Sequence, residues 1–128
     1  VLVVGTLRAE VKHALPAGAH HVPWVDDEAT LRGLYALCDA VVQPSLRDGM
    51  PNAVLEAQAC GVPVYGSPVG GIPDAIVDGV TGRICADDAA FAALLAQGPQ
   101  PDLGTTARER LTPMAAEIDA WERVLGGL

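Results

Sequence analysis

Short runs rich in valine, leucine and isoleucine return along the chain, and almost every one is followed by a breaker-rich loop and then a stretch with helical spacing. That alternation limits the possible folds more than any other feature of the sequence. The strand-like runs are Val1–Val4, Ala19–Val22, Ala40–Gln43, Pro63–Tyr65 and Arg83–Cys85. Between and after them Glu10–Leu15, Glu28–Leu37, Pro51–Cys60, Ile72–Val77 and Asp88–Ala96 read as helices, with Leu31, Leu34 and Tyr35 forming the apolar stripe of the second. Beyond a break at Gly98–Gly104, Thr105–Leu111 and Met114–Leu125 read as two terminal helices, the last turning Ile118, Trp121 and Leu125 inward. Strands joined through helices make right-handed crossovers, so the pattern predicts an α/β fold with a parallel sheet flanked by helices. In such sheets ligands sit at the carboxyl ends of the strands. Here those ends are the loops Gly5–Ala9, Pro23–Asp27, Pro44–Met50 and Ser67–Gly71.

A chain of 128 residues is long enough to bury a core in one domain without disulfides. Its formal charge of −8 would repel phosphate backbones and anionic bilayers, so nucleic acid is not an expected partner. Cys38, Cys60 and Cys85 are odd in number and lie within or beside apolar runs, which suits small buried side chains in a reducing compartment. With no run long enough to span a bilayer and no secretory leader, the expected setting is the cytoplasm.

The helix at Pro51–Cys60 is signalled at both ends, by proline near its first turn and by Gly61 just beyond its last. Its opening amides have no intrahelical acceptor, and the positive end of a helix suits a phosphate. Asn52 and Ala53 are the candidate donors, because Pro51 has no N–H. From Met50 to Glu56 such a helix rises roughly 9 Å, so a ligand with its diphosphate at the helix start could meet a carboxylate on either side. Those carboxylates are Asp48 and Glu56. A carboxylate accepts from adjacent hydroxyls, which fits Asp48 to a hexose and Glu56 to a ribose.

These residues lie in the stretch YALCDAVVQPSLRDGMPNAVLEAQACGVPVYGSPVGGIPDAIVDGVTG, residues 35–82, which resembles the retaining glycosyltransferases of the GT-B fold. The group is the large bacterial one called family four or group one. The resemblance runs from Val1 through the segment ARERL to Trp121, and implies a Rossmann-like parallel sheet flanked by helices, the C-terminal lobe of a GT-B enzyme. It implies the donor-binding half of an enzyme that moves a hexose from a nucleoside diphosphate sugar to an acceptor, with no metal and no cofactor besides that donor.

In the family two acids separated by seven residues meet the donor sugar and the ribose, the spacing of Asp48 and Glu56. The first is more often glutamate, so Asp48 has a shorter reach. By the same resemblance Gly49, Met50, Pro51 and Asn52 would line the sugar through their main chain, with Ala53 at the helix start. Trp24, Val25 and Asp27 would border the base, Trp24 standing where a small residue is usual. Gln58 stands where methionine is usual. The family also grips the diphosphate with an arginine and a lysine ahead of the first strand found here, and carries an amino-terminal acceptor-binding domain. Because the chain opens at Val1 inside a strand-like run, residues 1–128 are expected to be a donor-binding domain cut into at its start, with terminal helices at about 105–125. Alone, it should bind donor weakly and transfer nothing.

Plainer roles compete for several residues. Asp26, Asp27, Asp87 and Asp88 precede helices and suit caps better than metal ligands. His13, His20 and His21 lack ligand spacing, and the adjacent pair would point to opposite sides of a strand. Gly70 and Gly71 serve equally as a tight turn or a phosphate cradle, and Arg47 as a diphosphate partner or a surface cation. Three other functions are weighed. A nucleotide-sugar epimerase would need further acid and base residues, and a non-catalytic binding domain need not keep Asp48, Gly49 and Glu56. A dinucleotide oxidoreductase needs a glycine-rich turn that Gly5-Thr6-Leu7-Arg8 does not provide.

Overall fold

The structure, a computed structural model, describes residues 1–49 and 51–111. Met50 and the proposed last helix Met114–Leu125, with Ile118 and Trp121, lie outside the described residues. The element order is β1 (Leu2–Val4), α1 (Ala9–His13), β2 (His20–Val22), α2 (Glu28–Ala36), β3 (Val41–Gln43), α3 (Asn52–Ala59), β4 (Val64–Gly66), α4 (Ile72–Ala75), β5 (Gly82–Ile84) and α5 (Asp88–Ala96). The expected alternation is present throughout, with boundaries displaced by a residue or two. Two compact units emerge, one of residues 1–34 and one beginning at Tyr35.

In the first unit β1 and β2 pair in parallel, Leu2 opposite His20 and Val4 opposite Val22, with α1 as the crossover. The chain leaves β1 through Gly5, whose φ of 116 is open to glycine, and the Gly5 amide donates to Val22 O at 3.0 Å. His20 is exposed whereas His21 is half-buried, with Nε2 2.8 Å from Gly5 O, so the pair divides between two faces. Asp27 starts α2 as a helix cap: the Thr30 amide donates to Oδ2 at 2.7 Å.

The second unit holds a parallel sheet in the order β3-β4-β5. Alternation along β4 sends successive side chains to opposite faces. Val64 joins Val54, Ala57, Val62, Ile72 and Ile76 in one core, while Tyr65 packs with Cys85, Phe91 and Leu94 in another. Helices therefore cover both faces of the sheet, as a parallel arrangement requires. Helix α3 belongs to the first core. Its Gln58 is buried and donates to Ala75 O at 3.0 Å and Thr81 Oγ1 at 3.5 Å. The residue that departs from the resembling family's methionine is thus a polar tie from α3 to the end of α4.

One boundary needs correction. Residues 101–111 are helical, so this helix begins four positions before the expected Thr105 and includes Gly104. Pro101 fits a first helical turn, where its missing N–H costs nothing. Gly104 is there for proximity: a Cβ at this position would overlap the carbonyl oxygen of Gly61 and stand 2.8 Å from Pro63 Cδ. Gly61, at φ 76, is the glycine just past α3, in the left-handed conformation foreseen for a helix stop.

Candidate functional site

Strand β3 ends at Gln43, and the chain turns through Pro44–Gly49 before entering α3. Asp48 is half-buried in that loop, and its Oδ2 accepts from Gln43 Nε2 and Ser45 Oγ, each at 3.3 Å. Gln43 Nε2 also lies 2.9 Å from Ser45 Oγ, closing a three-residue network around one carboxylate oxygen. The network is anchored to β4's exit. Ser67 Oγ donates to Ser45 O at 2.6 Å, and the Ser67 amide donates to Gln43 O at 3.1 Å.

The turn after Ser67 closes on the same loop. Gly71 N donates to Gly49 O at 2.5 Å. Gly70 has φ 55, and a Cβ there would overlap the Asp48 carbonyl oxygen and stand 2.7 Å from its carbonyl carbon. The Gly70-Gly71 pair therefore makes both a left-handed turn and a backbone-to-backbone approach that positions Asp48.

Helix α3 opens with Pro51 as its N-cap, at φ −72 and ψ 113, and no side chain caps it. Its first turn contains no acid to offset the positive end. Among the described residues the amides of Asn52 and Ala53 have no acceptor, whereas Val54 N already donates to Pro51 O at 3.0 Å. Pro51 is buried, Asn52 and Gly49 are exposed, and Ala53 is half-buried. Four residues on from Asn52, Glu56 is exposed, and its Oε2 accepts from Tyr35 Oη at 2.9 Å. Burial and this hydrogen bond to Glu56 both push the Tyr35 hydroxyl well above its usual titration range, so it stays a donor.

Asp48, Gly49, Pro51, Asn52, Ala53 and Glu56 all belong to the second unit, on the loop after β3 and on α3. Trp24, Val25 and Asp27 belong to the first unit. Trp24 is 70% exposed and donates its indole N–H to Asp26 Oδ1, and Val25 is half-buried. The Asp27 carboxyl is held below its ordinary value by hydrogen bonding to the Thr30 side chain and then to the Thr30 amide, the latter its helix-capping contact. Burial raises the Cys38 and Cys85 thiols, which fits packing rather than nucleophilic roles. Among the described residues no group of three His, Cys, Asp or Glu is placed to hold a metal ion, and no helix is long and apolar enough to cross a membrane.

Sequence reasoning missed the groups that hold the two acids. Tyr35 is read from its spacing as an apolar helix member, and its hydroxyl reaches Glu56 across 21 residues of chain, a contact no local pattern reveals. Gln43 and Ser45 lie five and three residues before Asp48, close enough that a strand-end amide and a loop hydroxyl could have been considered as its partners.

A family model described as glycosyl transferases group 1 matches residues 1–97. The chain belongs to this family. Among curated proteins it is similar to the D-inositol 3-phosphate glycosyltransferases of Actinosynnema mirum, 47% identical over 57 residues, and Arthrobacter sp., 46% identical over 65 residues. Those alignments cover 44% and 51% of this chain and only 14% and 15% of the relatives, so the chain spans a small part of their length.

Solved structures share its fold over 81% to 99% of its length. Sucrose-phosphate synthase from Thermosynechococcus elongatus aligns with a TM-score of 0.75 at 24% identity, covering 98% of this chain and 38% of that one. HepE from Anabaena, solved in complex with UDP and glucose, gives 0.72 at 17% identity, covering 99% and 40%. The C-terminal domain of LpcC, a group 1 family protein from Francisella tularensis, gives 0.62 at 20% identity, covering 81% and 57%. The group 1 chain thus has the expected α/β, Rossmann-like architecture of a GT-B carboxyl-terminal lobe.

Proposed function

We propose that this chain is the donor-binding half of a retaining glycosyltransferase that transfers a hexose from a nucleoside diphosphate sugar to an acceptor. The observation that carries the proposal is the pair of tethered acids about the uncapped start of α3: Asp48 is held by Gln43 and Ser45, and Glu56 by Tyr35. The diphosphate lies at the amides of Asn52 and Ala53, where the helix end offers donors and partial positive charge. Glu56 accepts from the ribose hydroxyls. Asp48 accepts from the hexose, whose near face is lined by the main chain of Gly49, Pro51 and Asn52. The UDP and glucose named with HepE, a structural neighbour, are in keeping with such a donor.

The acceptor is held by an amino-terminal domain, in keeping with relatives of which this chain covers 14% and 15%. Residues 1–128 are the donor domain, and alone they bind donor weakly without transferring it. In the complete enzyme the acceptor hydroxyl attacks from the face the diphosphate leaves. The departing phosphate oxygen takes the hydroxyl proton, and the amides at the start of α3 stabilise the charge that develops on that oxygen. No protein nucleophile and no cofactor takes part, and the setting is the cytoplasm. Titration of the chain with nucleoside diphosphates tests the site: Glu56→Ala is expected to weaken binding, and unchanged affinity removes Glu56 from the ribose. Turnover by the complete enzyme tests Asp48, since an undiminished rate in Asp48→Ala removes it from the reacting sugar.

A further inference from the structure

We propose that Tyr35 is a positioning residue for donor binding, fixing the Glu56 carboxylate in the orientation that receives the ribose hydroxyls. The inference rests on the ribose role given to Glu56 above. Glu56 is exposed on α3, where a glutamate side chain would otherwise sample many rotamers. Tyr35 is half-buried at the end of α2, packed against the core that includes Val54 and Ala57 of α3. Its aromatic ring has few torsions to lose, and its hydroxyl carries one proton. That proton has a 2.9 Å route to Glu56 Oε2 and only a 3.5 Å approach to Ala53 O, so the carboxylate is its principal acceptor.

An ionised carboxylate has about four acceptor positions on its two oxygens, and one donor from Tyr35 leaves enough for two neighbouring hydroxyls. The phenol therefore restrains Glu56 without competing for its function. Asp48 shows the same design with different parts. Its Oδ2 is engaged by Gln43 and Ser45, and among the described residues Oδ1 has no partner. In both acids one oxygen is tied to the protein, while among the described residues the other has no partner.

The experiment is a double-mutant cycle on the whole chain, with binding of UDP, GDP, ADP and dTDP measured by calorimetry. The diphosphate that binds the unaltered chain most tightly is carried through Tyr35→Phe, Glu56→Ala and the double variant. Tyr35→Phe keeps the ring and its packing, and denaturant unfolding verifies that each variant is folded. The expected result is a loss of affinity of roughly fivefold in Tyr35→Phe, the scale of freeing one long side chain. That loss should disappear when Glu56 is already alanine. If Glu56→Ala weakens binding but Tyr35→Phe does not, the positioning role is overturned while the ribose site stands. An equal effect of Tyr35→Phe in both backgrounds assigns the tyrosine to packing alone and also overturns the proposal. Unchanged affinity in Glu56→Ala, or no binding of any of the four, overturns the ribose site and this inference with it.

Discussion

Replacing Gly70 by alanine tests how the acid loop is held. The substitution carries two costs. A non-glycine residue in the left-handed region loses about 1–2 kcal/mol, and forcing a methyl into occupied space typically costs about 1–3 kcal/mol. Gly79 separates them, because it has φ 73 but nothing within 4 Å of a built Cβ, so Gly79→Ala carries only the conformational cost. The excess of Gly70→Ala over Gly79→Ala in urea unfolding should therefore be about 1–3 kcal/mol, with each kcal/mol worth roughly 3–5 °C in Tm. Asp48 and Gly49 are on a loop, and Gly70 itself is exposed, so the chain can relieve the overlap by moving the loop outward. In that case the stability excess shrinks and the Gly71 amide loses its 2.5 Å contact with Gly49 O. Hydrogen exchange at Gly71 reads that loss without reference to any ligand. The reasoning fails if Gly70→Ala unfolds at the same urea concentration as Gly79→Ala and its Gly71 amide exchanges no faster than in the unaltered chain.

Two further outcomes follow from single contacts. Gln58→Leu should lower unfolding stability by about 1–3 kcal/mol, because it leaves Ala75 O without its buried donor; a denaturant midpoint unchanged from the parent would contradict this. Asp27→Ala should fray the start of α2, seen as lost helical circular dichroism at neutral pH. The Asp27 folded value lies below the ordinary 3.8, so the carboxylate's stabilisation is present above that value and fades as pH falls through the lowered one. The difference between parent and variant should accordingly vanish in strong acid, and a difference that persists there would point to another cause.

The alternation of strands and helices is legible because apolar runs with breakers between them are local signals. The same is true of α3, whose Pro51 start and Gly61 stop are where the sequence places them. Gly104 is misleading for a physical reason. Its type suggests a break, yet it lies inside a helix because another backbone comes too close for a side chain, and only tertiary proximity distinguishes the two uses. Gln58 is similar: its type says surface, while two acceptors brought from α4 and the following turn make it interior. At the candidate site, the seven-residue gap between Asp48 and Glu56 is legible in the sequence itself. Gln43 and Ser45 restrain Asp48 from nearby, whereas Tyr35 on Glu56 and Ser67 behind Ser45 come from distant parts of the chain and become visible only after the elements are packed.

The meeting of Gly104 with the Gly61 carbonyl has a mechanical meaning. Helices packed through side chains can creep past one another by changing rotamers, but backbone resting on backbone leaves no compliant layer to shear. Sliding the stretch 101–111 along that contact would drive backbone into backbone. Since Gly61 directly follows the C-cap of α3, the contact acts as a fulcrum at that end of the helix. Helix α3 is thus seated through backbone contact at the end opposite Pro51.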